Sequence, residues 1–592
     1  MDREKIEECY KWDLSKIYSS IDDFRSDIQL VKEKMNDFSK YKDMTYDENT
    51  LYEVISLYME TSSILNKLDV YTSLLSDEDT GINKNRELKE EVSNLSSEFI
   101  SKTYFIEPNI LKIGYNLIEG YYKKNEKLLE YKRYLYKLYR YKEHMLSDSE
   151  EKLLANLSKV FGNNYETYEL MKDSDMVFPN FVVDNKDYEL NNSNYSIYIE
   201  DDNRNIRKGA FDTLYETFKQ YKNVYANLIT SNIKEEVSIS KIKKYKSALE
   251  SATYHDELDE SIYNNLIDVI NNKMKILHKY YDLKKEVLEL DELHLYDVYA
   301  NLVLEDRKEY DFESSKETVI NALSILGDEY IGILKKGIED RWIDVYPNKR
   351  KRTGGYSSGC YDTNPYILLN YQNKYDDMST LAHELGHSMH SYYTRKNNPY
   401  QYGHYSIFVA EVASTVNELI LAKYVIRTSN NKNEKLFILN RLMELFRATI
   451  YRQTMFAEFE KKIYEMIEED KPVSADTLSK EYYKLNEVYF GKNVVVDDYI
   501  RYEWARIPHF YYNFYVYKYA TGLSAASYIV NGLLDGTIKK EDYIKFLKCG
   551  DSKSPLESLK VAGVDLSKKE VLISATEMFN SIIDEFREIY FK

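Results

Sequence analysis

His383-Glu384-Leu385-Gly386-His387 sets two imidazoles four residues apart, with a carboxylate beside the first. On a helix each residue turns about 100°, so His387 falls within roughly 40° of His383, one turn further along. Two imidazoles leaving one face at that spacing can grip a single zinc ion, and Glu384 can act as a base toward water held there. The run ahead of them, Asp376-Asp377-Met378-Ser379-Thr380, reads as a helix start. Asp376 is a candidate cap, and acidic residues in a first turn suit the helix dipole. The motif thus has the helical setting it needs. Short matches of this kind also arise by chance, and a catalytic zinc takes a third protein ligand.

That ligand must come from elsewhere. The metzincin pattern requires Gly at 390 and His at 393; His390 and Tyr393 stand there, which excludes that class. A Glu on a following helix is the alternative, and the stretch Ile407 to Glu418 supplies one. Glu411 lies among Phe408, Val409, Ala410, Val412 and Ala413, where a carboxylate is costly to bury unless it is paired or metal-bound. It follows His383 by 28 residues, enough for a turn and a returning helix. Glu418, on the same helical face, reads as an outer partner that orients a ligand. His390 and His404 are rival ligands and read as pocket or packing residues.

Two stretches upstream must hold whatever is acted on. Thr353-Gly354-Gly355-Tyr356-Ser357-Ser358-Gly359-Cys360 concentrates glycine where another backbone can approach closely. No Gly-Lys-Ser/Thr follows, so it is not a phosphate loop. Tyr366 to Tyr371 reads as a strand, separated from the motif helix by a short turn. In zinc peptidases this order puts a strand edge beside the metal, where an extended peptide can pair with it.

The rest of the chain is scaffold. It has 592 residues with 99 acidic and 81 basic side chains, net charge −18, which argues against a general nucleic-acid binder. Gly and Pro are few, at 19 and 8, and the composition favours helices. Cys9, Cys360 and Cys549 are far apart and odd in number, against a disulfide framework and for a reducing compartment. There is no signal-like N-terminus and no apolar run of membrane-spanning length, so the cytoplasm is the expected location. Residues 1–110 read as helical, opening on an anchor-like Trp12-Asp13-Leu14. Ser147, with Glu150 three residues on, reads as a helix cap, and His144 beside it as structural. Phe181 to Asp184 and Tyr195 to Ile199 read as the two strands of a hairpin. Lys208 to Lys244 reads as one helix or two, and Leu295 to Tyr299 as an aromatic packing knot. Tyr512, Tyr515 and Tyr519 recur at helical spacing and so would share a face, which spacing alone makes a core stripe.

Taken together these motifs resemble the M3 peptidases, and within them the oligoendopeptidase F branch. The likeness covers most of the chain. It runs from Trp12-Asp13-Leu14 through His144-Met145-Leu146-Ser147, Tyr296 to Tyr299 and Gly355 to Gly359. It continues through Tyr361 to Tyr366, His383 to Ser391 and Phe408 to Glu418, and ends at Ile507 to Gly522. The resemblance implies a mainly α, two-lobed zincin-type body with a small β-sheet beside the active-site helix, enclosing a deep channel. It implies one zinc per chain on His383, His387 and Glu411, with Glu384 as base. It also implies that His509 and a tyrosine among Tyr512, Tyr515 and Tyr519 bind the oxyanion. On this reading Gly355 and Tyr356 hold an oligopeptide substrate, and nucleic acid and membrane are not partners. The division expected is a helical region over 1–110, an oligoendopeptidase N-terminal-type domain over 111–203 and a catalytic domain over 204–592. The function expected is endopeptidase cleavage of short, unstructured oligopeptides.

Overall fold

The computed structural model describes residues 2–303 and 308–592. The fold is mainly helical. Its described sheets are a two-stranded antiparallel hairpin, a two-stranded parallel pair and one three-stranded sheet. The chain forms two compact units, each assembled from separated stretches. One takes Met1–Glu143, Lys308–Tyr424 and Ile529–Gly563; the other takes His144–Arg307, Val425–Tyr528 and Val564–Lys592.

In the first unit the N-terminal anchor ties to a sheet strand. Trp12 is 2% exposed and its indole N–H donates to Glu78 at 2.6 Å, while the Asp13 N–H donates to the Arg341 carbonyl. Asp344, buried on the strand Ile343–Asp344, is paired with Lys351 at 2.7 Å and Arg3 at 2.5 Å. A buried carboxylate of this kind is tolerable only because both cations reach it. Helices Glu48–Glu78 and Asn83–Thr103 pack against each other; Asp47 caps the first through the N–H groups of Asn49 and Thr50.

The three-stranded sheet corrects the expectation for 366–371. Tyr366–Leu368 is its central strand, parallel to Ile343–Asp344 and antiparallel to Tyr356–Ser358. All three residues of Tyr366–Leu368 are buried, and their backbone groups are taken on both sides. The apolar composition that marked the segment as a strand also sends it to the middle of the sheet. Tyr356–Ser358, out of the glycine loop, is one edge strand and Ile343–Asp344 the other. Asn370 closes that loop by donating its side-chain N–H to the Arg352 and Gly354 carbonyls.

The helix of the His-Glu-x-x-His motif spans Tyr375–Asn397. Asp376 therefore sits inside the first turn. Asp377 accepts the N–H groups of Gln372 and Lys374, each at 2.9 Å. The chain returns along Ile407–Thr428. The two helices cross in near contact at Gly386, where a Cβ would lie 2.6 Å from the Ala413 carbonyl oxygen and 2.6 Å from Ser414 Cα.

The second unit corrects the hairpin. Phe181–Val183 pairs with Lys186–Tyr188, and Tyr195–Ile199 is a short helix. Asp184 and Asn185 both adopt positive φ, 50° and 62°, and so close a two-residue turn locally. Asn191 accepts the N–H groups of Ser193 and Asn194, which winds the next stretch into the helix. The 208–244 stretch is two helices, Arg204–Gln220 and Lys222–Ile242. Glu150 accepts both the N–H and the hydroxyl of Ser147, and His144 stacks on Tyr245 at 3.7 Å. In the aromatic knot, Asp297 is fully buried and accepts from Arg204 and Arg207, at 2.8 and 2.7 Å. Among the described residues no helix is long and apolar enough to cross a membrane.

Gly386→Ala tests the helix crossing. The added methyl meets backbone on the opposite helix, not a movable side-chain end, so the helices must separate. Overpacking of this kind costs about 1–3 kcal/mol. A lowered thermal midpoint is the expected result; an unchanged one would mean the crossing tolerates a side chain.

Candidate active site

Gly386 lets the two helices approach closely enough for side chains from both to converge. His383 and His387 place their Nε2 atoms 3.1 Å apart. The Glu411 Oε2 lies 3.4 Å from the first and 3.5 Å from the second. The three atoms form a nearly equilateral triangle. A tetrahedral zinc with bonds of about 2.0–2.2 Å puts neighbouring donors roughly 3.3 Å apart, so the triangle has the size of one face of that tetrahedron. Two imidazoles and a carboxylate are also the donor set such an ion takes. Among the described residues this is the one cluster of its kind.

Glu418 stands on the far side of His383, with Oε2 3.2 Å from Nδ1, and Ser379 donates to its other oxygen at 3.3 Å. A carboxylate at Nδ1 holds the proton there and leaves the Nε2 lone pair directed into the triangle. Ser414 donates to Glu411 at 3.1 Å and steadies the third donor. Burial disfavours a charged His383, but Glu411 and Glu418 outweigh it and lift the ring to about 10 in the absence of a metal. Burial likewise works to raise the Glu411 carboxyl, yet the two imidazoles hold it well below the usual carboxylate range.

Glu411 differs from expectation in one respect. Its side chain is 45% exposed, the most open of the three. Phe408, Val409, Val412 and Ala413 are buried, so the apolar neighbours turn to the core while the carboxylate faces the imidazoles and solvent.

Glu384 is 6% exposed, and its Oε2 is buried without a hydrogen-bond partner among the described residues. Burial raises its carboxyl, with His383 and His387 working the other way. Gly355 lies against it: a Cβ there would be 3.7 Å from Glu384 Oε1 and 3.1 Å from Thr380 Cγ2. The next residue, Tyr356, gives its hydroxyl to Asp77 at 2.7 Å, and Ser357 bonds Ser388 at 2.8 Å. These contacts fix the edge strand beside the motif helix, and the hydroxyl of Tyr356 is engaged by the protein itself. Asp77 and Asn370 were missed from the sequence; a lone Asp near the end of a helix and an Asn after a strand carry no motif.

The rival histidines stand apart from the triangle. His390 is buried and stacks on Tyr405 at 3.7 Å; burial, and then His387, push it down to about 3, so it stays neutral. His404 faces Asp551, 3.5 Å away.

His509 and the tyrosines belong to the second unit. They are not one helical face, because the helix begins only at Tyr517. His509 sits in a short 3-10 turn, Pro508–Tyr511, and Asn513 and Phe514 then reverse the chain at φ 44° and 53°. The rings still gather. Tyr512, Tyr515 and Tyr519 have centroids 5.7, 6.3 and 5.9 Å from the His509 ring, and the Tyr519 hydroxyl is 3.4 Å from its Nε2. Burial keeps the His509 ring below its ordinary value, hence neutral near pH 7. Tyr512 is 43% exposed and shares a 2.6 Å hydrogen bond with the Tyr165 hydroxyl.

The family model described as "Peptidase family M3" matches residues 197–578, and that described as "Oligopeptidase F" matches residues 109–178. Oligopeptidase PepF of Bacillus subtilis is 41% identical over 100% of this chain and 89% of its own length. Group B oligopeptidase PepB of Streptococcus agalactiae is 36% identical over 100% of this chain and 98% of its own. The crystal structure of oligoendopeptidase-F from Enterococcus faecium superposes with a TM-score of 0.74 at 30% identity, covering 96% of this chain and 99% of that one. With these matches to the sequence and the fold, the chain belongs to peptidase family M3 as a metalloendopeptidase of the oligoendopeptidase F group.

Proposed function

We propose that the chain is a zinc-dependent endopeptidase that cuts internal bonds of short, unstructured oligopeptides, with one zinc per chain held by His383, His387 and Glu411. The single observation that carries the reading is the donor triangle with, on the helix of its two histidines, a buried carboxylate oxygen of Glu384 that has no hydrogen-bond partner among the described residues. Bound there, the ion would supply Lewis-acid polarisation of the scissile carbonyl and a lowered pKa for water. Glu384 takes a proton from the attacking water and passes it to the leaving amine; its burial favours the protonated form that the second transfer needs. Glu418 orients His383. The free edge of Tyr356–Ser358, with Gly355 leaving room beside Glu384, pairs with an extended peptide. His509, neutral and donor-competent, and one of Tyr512, Tyr515 and Tyr519 give hydrogen bonds to the oxyanion. That last assignment rests on the family resemblance and on the grouping of these rings within their own unit. The three cysteines, all free, favour a reducing compartment, and we place the enzyme in the cytoplasm.

Glu384→Gln should bind the metal as the parent does and lose turnover by at least the 10²- to 10⁴-fold typical of a general base. Turnover on a quenched short peptide and metal content by elemental analysis read the two halves separately; near-normal turnover would overturn the mechanism. Glu411→Gln should instead lose metal. Its retention during dialysis against a chelator should fall by about 10- to 100-fold or more. Full occupancy with unchanged activity would assign the third donor elsewhere.

Substrate form follows from strand pairing. An edge strand can take a peptide only if its backbone is extended and unpaired. A short peptide should therefore be cut at an internal bond, while the same sequence within a stable folded domain should survive. Product masses from the two substrates make the comparison. Equal cleavage would defeat the restriction to unstructured chains, and cleavage only at a terminal residue would make the enzyme an exopeptidase.

A further inference from the structure

The segment Pro508 to Tyr519 carries four of the rings assigned to substrate, and its shape is held from outside. Asn513 and Phe514 are consecutive left-handed residues, and neither is glycine. A left-handed backbone is unfavourable for a residue with a Cβ, so the turn needs support. Two acids give it. Glu236, on the helix Lys222–Ile242, accepts the Asn513 side-chain N–H at 2.8 Å. Glu460, on the neighbouring helix Gln453–Glu468, accepts the Phe514 backbone N–H at 2.7 Å.

Glu460 is an expensive choice for this position. It is 2% exposed and has no ion-pair partner among the described residues. Burial pushes its carboxyl up to about 8, with the Phe514 N–H working the other way. Filling space alone would favour an apolar side chain here, as it does at Phe456, Phe459 and Ile463 on the same helix. The Phe514 ring seals the contact, 4.4 Å from Tyr464 and 5.5 Å from Tyr263 by ring centroids. The turn lies between Tyr512 and Tyr515, whose rings stand 6.2 Å apart. Were the three steps between them extended, their Cα atoms would be roughly 10 Å apart and the ring group around His509 would open.

We infer that Glu236 and Glu460 are positioning residues that clamp the Asn513-Phe514 turn and thereby fix the directions of His509, Tyr512 and Tyr515. This rests on the proposed role of that segment toward substrate. The clamp works through hydrogen-bond acceptance, not charge. A glutamine at 460 keeps a carbonyl acceptor of nearly the same reach, whereas methionine keeps the volume and removes the acceptor.

The test compares Glu460→Met, Glu460→Gln, Glu236→Met and His509→Ala in the full-length metal-loaded enzyme. Turnover number, Michaelis constant, metal content and hydrogen exchange at the Phe514 amide are measured. Glu460→Met should exchange the Phe514 amide faster and lower the turnover number by about tenfold or more, with a smaller change in the Michaelis constant and normal metal content. Glu460→Gln should stay within about threefold of the parent, since the acceptor is kept. Glu236→Met, at a half-buried position, should show the same direction of effect and serves if Glu460→Met does not fold. A folded Glu460→Met with parental amide exchange, or a Glu460→Gln as impaired as Glu460→Met, overturns the clamp. A faster amide with parental turnover overturns the positioning role. If His509→Ala also keeps parental turnover, the assignment of the whole segment to substrate falls with it.

Discussion

The near contact between the motif helix and the returning helix at Gly386 is the constraint on which the candidate site depends. It is held by more than a missing side chain. Asn417, fully buried, donates to the Ala382 carbonyl at 3.1 Å and accepts from the Tyr330 hydroxyl at 3.2 Å. That bond sets the register of one helix against the other just before His383. With the register set, two carboxylates seven residues apart on the returning helix reach the two nitrogens of one imidazole, Glu411 at Nε2 and Glu418 at Nδ1. Glycine inside the motif, a buried asparagine on the returning helix and the spacing of two glutamates on that helix are thus parts of one device.

Much of this was legible in the residues because helix geometry links them. The spacing of His383 and His387, and of Glu411 and Glu418, fixes which side chains share a face, and the helices formed as expected. What failed was inference from composition about direction. The apolar flanks of Glu411 suggest a buried carboxylate; the flanks are buried and the carboxylate is half open. The segment 366–371 reads as an edge from its place before the motif helix, although its apolar run suits the centre of a sheet. Tyr195 to Ile199 has strand-like residues, but Asp184-Asn185 and the asparagines around 191 decide the local chain path first. Local turn chemistry prevailed over β-propensity there.

The tyrosines mark a different limit. Tyr512, Tyr515 and Tyr519 look like one face of a helix, and their rings do group together, but by a chain reversal. Helical spacing and a left-handed turn put the same rings near one another by unrelated routes. No sequence period distinguishes them, because Phe514 does not announce positive φ and a lone Asn513 does so less strongly than glycine. The information lies on other helices, in Glu236 and Glu460. A buried acid facing a backbone N–H is invisible until the chain is folded.

In the proposed mechanism Glu411 and Glu384 put one side-chain chemistry to opposite tasks. Burial acts on both in the same direction, toward the neutral form. Glu411 meets the Nε2 atoms of both histidines and is driven toward the anion, the state in which a carboxylate donates to a metal. Glu384, one residue after His383, is buried with one oxygen lacking a hydrogen-bond partner among the described residues, and there burial prevails. Burial raises its carboxyl, the direction that the proposed return of the proton requires. The difference arises from where each residue sits on the helices, not from its sequence neighbours. Exchanging the environments would exchange the tasks: a carboxylate at 384 bonded to both imidazoles would hold no proton, and one at 411 without them would make a poorer donor.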